Sequence, residues 1–191
     1  MAKLDLQKRE EFAKCAVPHM DDVYAAGLYL TRSEDEAAEL LQETYLRAYR
    51  FWHQFTLGTN CKAWLLTILH NVFRTRFRER QHAHQQVEFD ETVHHPESVG
   101  DTGSNPEELV LARLLEGEVE EALRTLPIEF REVCILIDLQ DLTYQEAAAA
   151  LNCPIGTIRS RLSRARRQLQ HALREYAKAH GIRRRDSYAL R

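Results

Sequence analysis

Apolar positions along the chain recur at spacings of three and four and nowhere alternate over a strand's length, so the pattern predicts helices throughout. Ser33-x-x-Glu36 is a capping-box signature, and it predicts a helix running from there to about Trp52. Along that helix Ala37, Leu41, Thr44, Ala48 and Phe51 form an inward stripe, with Leu40 and Trp52 beside it. The opposite stripe is Asp35, Glu39, Gln42 and Leu46, with Glu43 and Arg50 alongside. Leu46 on this polar face hints at a partner surface. Thr59 or Asn60 can cap a second helix through about Arg80, with Trp64, Leu65, Ile68, Val72 and Phe73 as core positions. Lys62, Asn71, Arg74 and Arg78 lie off that stripe.

The period lapses from His82 to Pro106, a stretch that holds Pro96, Gly100, Gly103, Ser104 and Asn105 and reads as a linker. Asn105-Pro106-Glu107-Glu108 then opens another helix, which Pro127 breaks. Thr143-x-x-Glu146 is a second capping box. Asn152 stands where that helix must end in a left-handed residue, and Pro154 suits the first turn of a last long helix. The expectation is an all-α chain of two small helical domains joined by a flexible acidic linker. The domains are residues 1–82 and 107–178, the linker 83–106, and a basic tail covers 179–191. Each domain can bury only a small core and is expected to be marginal alone.

The last helix has two faces. Ile155, Ile158, Leu162, Ala165, Leu169, Ala172 and Tyr176 make one apolar stripe. At about 100° per residue the opposite stripe is Gly156, Ser160, Ser163, Arg164 and Arg167, flanked by Arg159 and Arg166. Basic runs alone favour a solvated surface. A capped helix, a tight turn and small residues between the arginines favour a helix-turn-helix whose second helix enters a DNA groove.

Charge sharpens this. The net charge of −3 hides a segregation: residues 85–121 hold eleven acids against one base, and residues 156–191 eleven bases against two acids. Phosphate binding needs a basic face and not a basic protein. Four scattered cysteines, with no CxxC, suit a reducing cytoplasm. No apolar run approaches the roughly 20 residues of a membrane span, and MAKLDLQKREEF lacks the apolar stretch of a signal peptide. Nine histidines raise a metal-site reading, yet His82/His84 and His94/His95 fall in or beside the linker without a ligand pattern, so no metal or cofactor is expected. No nucleophile–base arrangement or phosphate loop suggests an enzyme.

LPIEFREVCILIDLQDLTYQEAAAALNCPIGTIRSRLSRARRQL resembles, over its whole length, region 4 of the ECF sigma factors of bacterial RNA polymerase. Asn152 replaces the glycine usual at that turn. SEDEAAELLQETYLRAY resembles region 2.2, with Ala38 where the family usually has an acid, and FWHQFTLGTNCKAWLLTILHNVFRTRFRERQ resembles regions 2.3–2.4. The resemblance spans about residues 10–80 and 115–178 and implies a factor that brings core polymerase to promoter DNA. By it, Asp35, Glu36, Glu39, Gln42, Glu43 and Leu46 grip the polymerase. Asn60, Lys62, Asn71, Arg74 and Arg78 serve the −10 element, with Gln54, Thr56 and Thr59 also available to a base pocket. Thr157, Arg159, Ser160, Ser163, Arg164 and Arg167 read the −35 element. It also implies an anti-sigma partner. The rival reading is a stand-alone helix-turn-helix regulator, which leaves the N-terminal module idle. The two promoter elements lie roughly 60 Å apart at about 34–36 Å per DNA turn. Residues 82–106 can extend to roughly 80 Å at about 3.3 Å each, so the linker can span them. Its acids can compete with DNA for the basic faces, lie in the polymerase channels as a nucleic-acid mimic, or serve only as a soluble linker.

Overall fold

The computed structural model describes residues 2–84, 117 and 119–179. Helix α1 (Ala2–Ala16) passes through a 3-10 turn (Val17–His19) into α2 (Met20–Thr31). Arg32 then takes a left-handed conformation (φ 64°) and turns the chain into α3 (Glu34–Arg50). A second 3-10 turn (Trp52–Gln54) and a loop lead to α4 (Cys61–His84). The second module holds α5 (119–125), α6 (Ile128–Cys134), α7 (Tyr144–Ala150) and α8 (Ile155–Ala179). The described residues contain no strand. Helix α4 runs two residues into the expected linker. The rest of the linker, the helix start at Asn105-Pro106 and nearly all of the basic tail lie outside the described residues.

The helix boundaries follow the signals. Ser33 Oγ accepts from Glu36 N–H, which is half of the expected capping box. The other half is absent: Ser33 N–H donates to Thr31 Oγ1, and the Glu36 carboxylate accepts from Arg80. Asn60 caps α4, its Oδ1 accepting from Ala63 N–H at 3.1 Å. Thr143 and Glu146 form the complete reciprocal box. Asn152 takes φ 48°, the left-handed turn between α7 and α8. One boundary carries a π-helical turn (Ile135–Leu139), in which Gln140 N–H reaches back five residues to Ile135 C=O. The wider turn keeps Ile135 and Leu136 buried and directs Asp138 toward α8.

Two inward assignments need correction. Phe51 is 40% exposed, whereas Trp52 is buried. Helix α3 ends at Arg50, so the 100° phase stops there and the 3-10 turn rotates Trp52, not Phe51, onto Phe12, Phe55 and Trp64. Ala172 is exposed, because the buried stripe of α8 (Ile158, Leu162, Ala165) gives out past the partly buried Leu169.

The two modules are not apart. Helix α4 packs on α7, and α2 packs on α6 and the π-helical turn, so buried residues of both modules form one continuous core. Sharing a core is how two units too small to bury enough surface separately gain burial together.

Candidate nucleic-acid and polymerase interfaces

Helix α8 presents the surface its pattern promises. Ile158, Leu162 and Ala165 are buried, and Gly156, Arg159, Ser160, Ser163, Arg164 and Arg167 are exposed, with Thr157 half-buried. A helix anchored along one side and small or basic along the other suits close approach to a groove, with guanidinium groups for phosphates and base edges. Two arginines of this helix are held by the body. Arg159 lies over the ring of Tyr144, 5.8 Å from its centroid. Arg166 is clamped on Asp138, with Nη2 at 2.5 Å and Nε at 3.2 Å from the two carboxylate oxygens. Tyr144 and Asp138 were invisible as site residues in the sequence, because they sit upstream on other elements.

The polar face of α3 is also open. Asp35, Glu39 and Gln42 are exposed, Leu46 is 61% exposed, and Glu36 and Glu43 are partly covered. Glu36 accepts from Arg80 at 2.7 Å and Glu39 from Arg76 at 3.4 Å, both from α4. Glu43 is paired with Arg47 one turn on, at 2.6 Å. Six sites thus share one helix face, with Leu46 as the apolar point among them.

The third set is divided. Asn71 and Arg78 are exposed on α4. Lys62 is tied to Asp22 of α2 at 3.6 Å. Asn60 and Arg74 face the second module. Asn60 Nδ2 donates to Glu146 Oε1 at 2.7 Å. Arg74 donates through Nε and Nη2 to the two carboxylate oxygens of Glu132, at 2.9 and 2.7 Å, and through Nη1 to Leu151 C=O at 2.9 Å. His70 Nδ1 stands 3.5 Å from the same Glu132, and both His70 and Glu132 are almost wholly buried. Burial pushes the Glu132 carboxyl up, but His70 and Arg74 outweigh it and hold the group down at about 2. Nothing in the sequence marked Glu132 or His70, since their meeting depends on two elements 62 residues apart. The loop before α4 turns at Gly58 (φ 88°) and exposes Leu57 beside Gln54, Thr56 and Thr59.

The cysteines are unpaired, and burial pushes Cys61 up to about 11 and Cys134 up to about 12, far from a reactive thiolate. Among the described residues no His, Cys, Asp or Glu cluster could hold a metal ion, and no helix is long and apolar enough to cross a membrane.

Residues 17–83 match the family described as Sigma-70 region 2, and residues 116–169 match Sigma-70, region 4. The chain is 35% identical over 160 residues to the ECF RNA polymerase sigma factor EcfG of Rhodopseudomonas palustris, covering 80% of this chain and 83% of that protein. It is 31% identical over 159 residues to the ECF RNA polymerase sigma factor SigE of Mycolicibacterium smegmatis, covering 83% of this chain but spanning only 60% of that longer protein. Its fold is similar to that of the sigma factor RpoE of Bartonella quintana, solved in complex with the anti-sigma factor NepR. The TM-score is 0.70 at 33% identity, over 86% of this chain and 98% of the other. CnrH in complex with the cytosolic domain of CnrY shares the fold (TM-score 0.61, 23% identity) over 90% of this chain and 96% of the other.

Proposed function

The chain belongs to the sigma-70 family as an ECF sigma factor, and from that premise we propose that it grips core RNA polymerase through α3, holds the −10 element along α4 and reads the −35 element with α8. The single observation that carries this reading is the two-sided α8, seated behind a fully capped α7 and a left-handed Asn152. In this reading Asp35, Glu36, Glu39, Gln42, Glu43 and Leu46 meet the polymerase. Asn60, Lys62, Asn71, Arg74 and Arg78 meet the −10 strand, and Thr157, Arg159, Ser160, Ser163, Arg164 and Arg167 meet the −35 groove. The domain limits are 1–82 and 107–178, with the acidic linker between them. The chemistry of transcription belongs to the polymerase; this chain positions and melts DNA in the cytoplasm and contributes no catalytic group.

The sigma factor RpoE of Bartonella quintana is seen with the anti-sigma factor NepR. By likeness, an anti-sigma partner covers the same surfaces here and keeps the factor from polymerase. A stand-alone helix-turn-helix regulator gives no role to the region 2 match over residues 17–83.

Run-off transcription with core polymerase, this protein and a library of promoter fragments tests the function. Promoter-specific transcripts that need the protein are expected. Specific DNA binding with no effect on polymerase would leave the regulator reading instead.

A further inference from the structure

Two of the residues assigned to the −10 element are already occupied, and both occupants come from the second module. Arg74 is bidentate on Glu132, the arrangement guanidinium groups also make with a phosphate. Its third donor is taken by Leu151 C=O, and Asn60 is held by Glu146. On the other side of the same interface Arg32 Nη2 donates to Arg124 C=O. The contact therefore spans α2, α4, α5, α6 and α7, and it is closed around a buried carboxylate. With α4 and α7 touching, the two modules cannot reach DNA elements roughly 60 Å apart.

We propose that the chain docks on itself: the face of the first module bearing Asn60 and Arg74 is a binding surface for the second module, with Glu132 standing where a DNA phosphate would, so closure and promoter binding compete for the same donors. This rests on the reading that Arg74 contacts DNA. The surface is built to open. A buried ion pair returns little net stability after its desolvation cost. Closure also leaves His70 Nε2 buried without a hydrogen-bond partner among the described residues, and gives Nδ1 only the 3.5 Å approach to Glu132. On opening, Glu132 and His70 regain water, and Arg74 becomes available to a phosphate at full charge.

The test uses the full chain without polymerase. Small-angle X-ray scattering reads closure, and mobility shifts on a promoter fragment at low salt read DNA affinity. Wild type should be compact. Glu132→Arg should expand it and tighten DNA binding at least threefold. Glu10→Arg adds the same charge on exposed α1 and should do neither. The swap Arg74→Glu with Glu132→Arg should restore compactness. If Glu132→Arg fails to fold by circular dichroism, Glu132→Gln takes its place, with the same direction expected. An expanded wild type overturns self-docking, and a Glu132 variant as compact as wild type overturns the role of Glu132 in it. Expansion without any gain in DNA affinity beyond that of Glu10→Arg overturns the competition and removes Arg74 from the DNA-binding set, while the closed form itself stands.

Discussion

Arg131 is buried, and its hydrogen bonds stay within the second module. Its Nε donates to Leu123 C=O and its Nη2 to the carbonyls of Arg124 and Leu126, all near 3.0 Å. Burial, with Arg32 and Arg124 nearby, pushes its guanidinium down to about 10, so it stays charged at neutral pH. It ties the end of α5 to α6, where Pro127 has removed a backbone donor. Arg131→Met strips partners from carbonyls with no replacement and should cost roughly 3 kcal/mol, a loss that urea unfolding would register. Arg164 is the contrasting case, exposed on the face of α8 opposite its buried stripe. Arg164→Ala should leave stability unchanged and weaken −35 binding by about 1–3 kcal/mol. Equal shifts by mutant and wild type on matched and scrambled sites would remove it from the reading surface. Asp138→Ala should weaken −35 binding less strongly, through Arg166, which loses its clamp.

At the scale of the element, caps decide where helices start and therefore which residues face outward. Thr143 and Glu146 set the phase of α7, and Glu146 also reaches Asn60. Thr143→Ala should cost about 1 kcal/mol, measured by thermal or urea unfolding, because one α7 donor loses its acceptor. For α3 the informative feature is that its acids are bound unequally. Asp35 is exposed, whereas Glu36 and Glu39 have arginine partners on α4. Reversing Asp35 and Glu39 to Lys should abolish capture of core polymerase while circular dichroism stays helical, since neither packs in the core. Wild-type capture by the folded double variant would contradict the assignment of this face. Exposed ion pairs of this kind contribute little stability, so the folded state should survive the change.

For the whole molecule, closure should depend on pH through Glu132. Its carboxyl is lowered from an ordinary 4.5 to about 2 in the closed form. A depressed carboxylate stabilises the closed form fully above the ordinary value, and that stabilisation is lost as pH falls through the window from 4.5 toward 2. Scattering between pH 7 and 3 should show wild type expanding before secondary structure is lost, with Glu132→Gln already expanded and flat across the range. A wild-type radius constant to pH 3 would assign closure to the apolar core alone.

Helix positions, caps and the two-sided α8 were legible in the sequence because they depend on contacts within a few residues, where periodicity and capping chemistry operate. Ser33, Asn60, Thr143 and Asn152 behave as their residue types require whatever surrounds them. The misreading of Phe51 came one residue past a helix end, where local phase stops carrying information and the aromatic cluster around Trp52 decides. The division of the basic set was illegible for a larger reason. Arg74 and Arg78 look alike on α4, and only the approach of α6 and α7 makes one the half-buried partner of the buried Glu132 and leaves the other exposed. Short-range chemistry made the surfaces of this protein; long-range packing determined which of them are free.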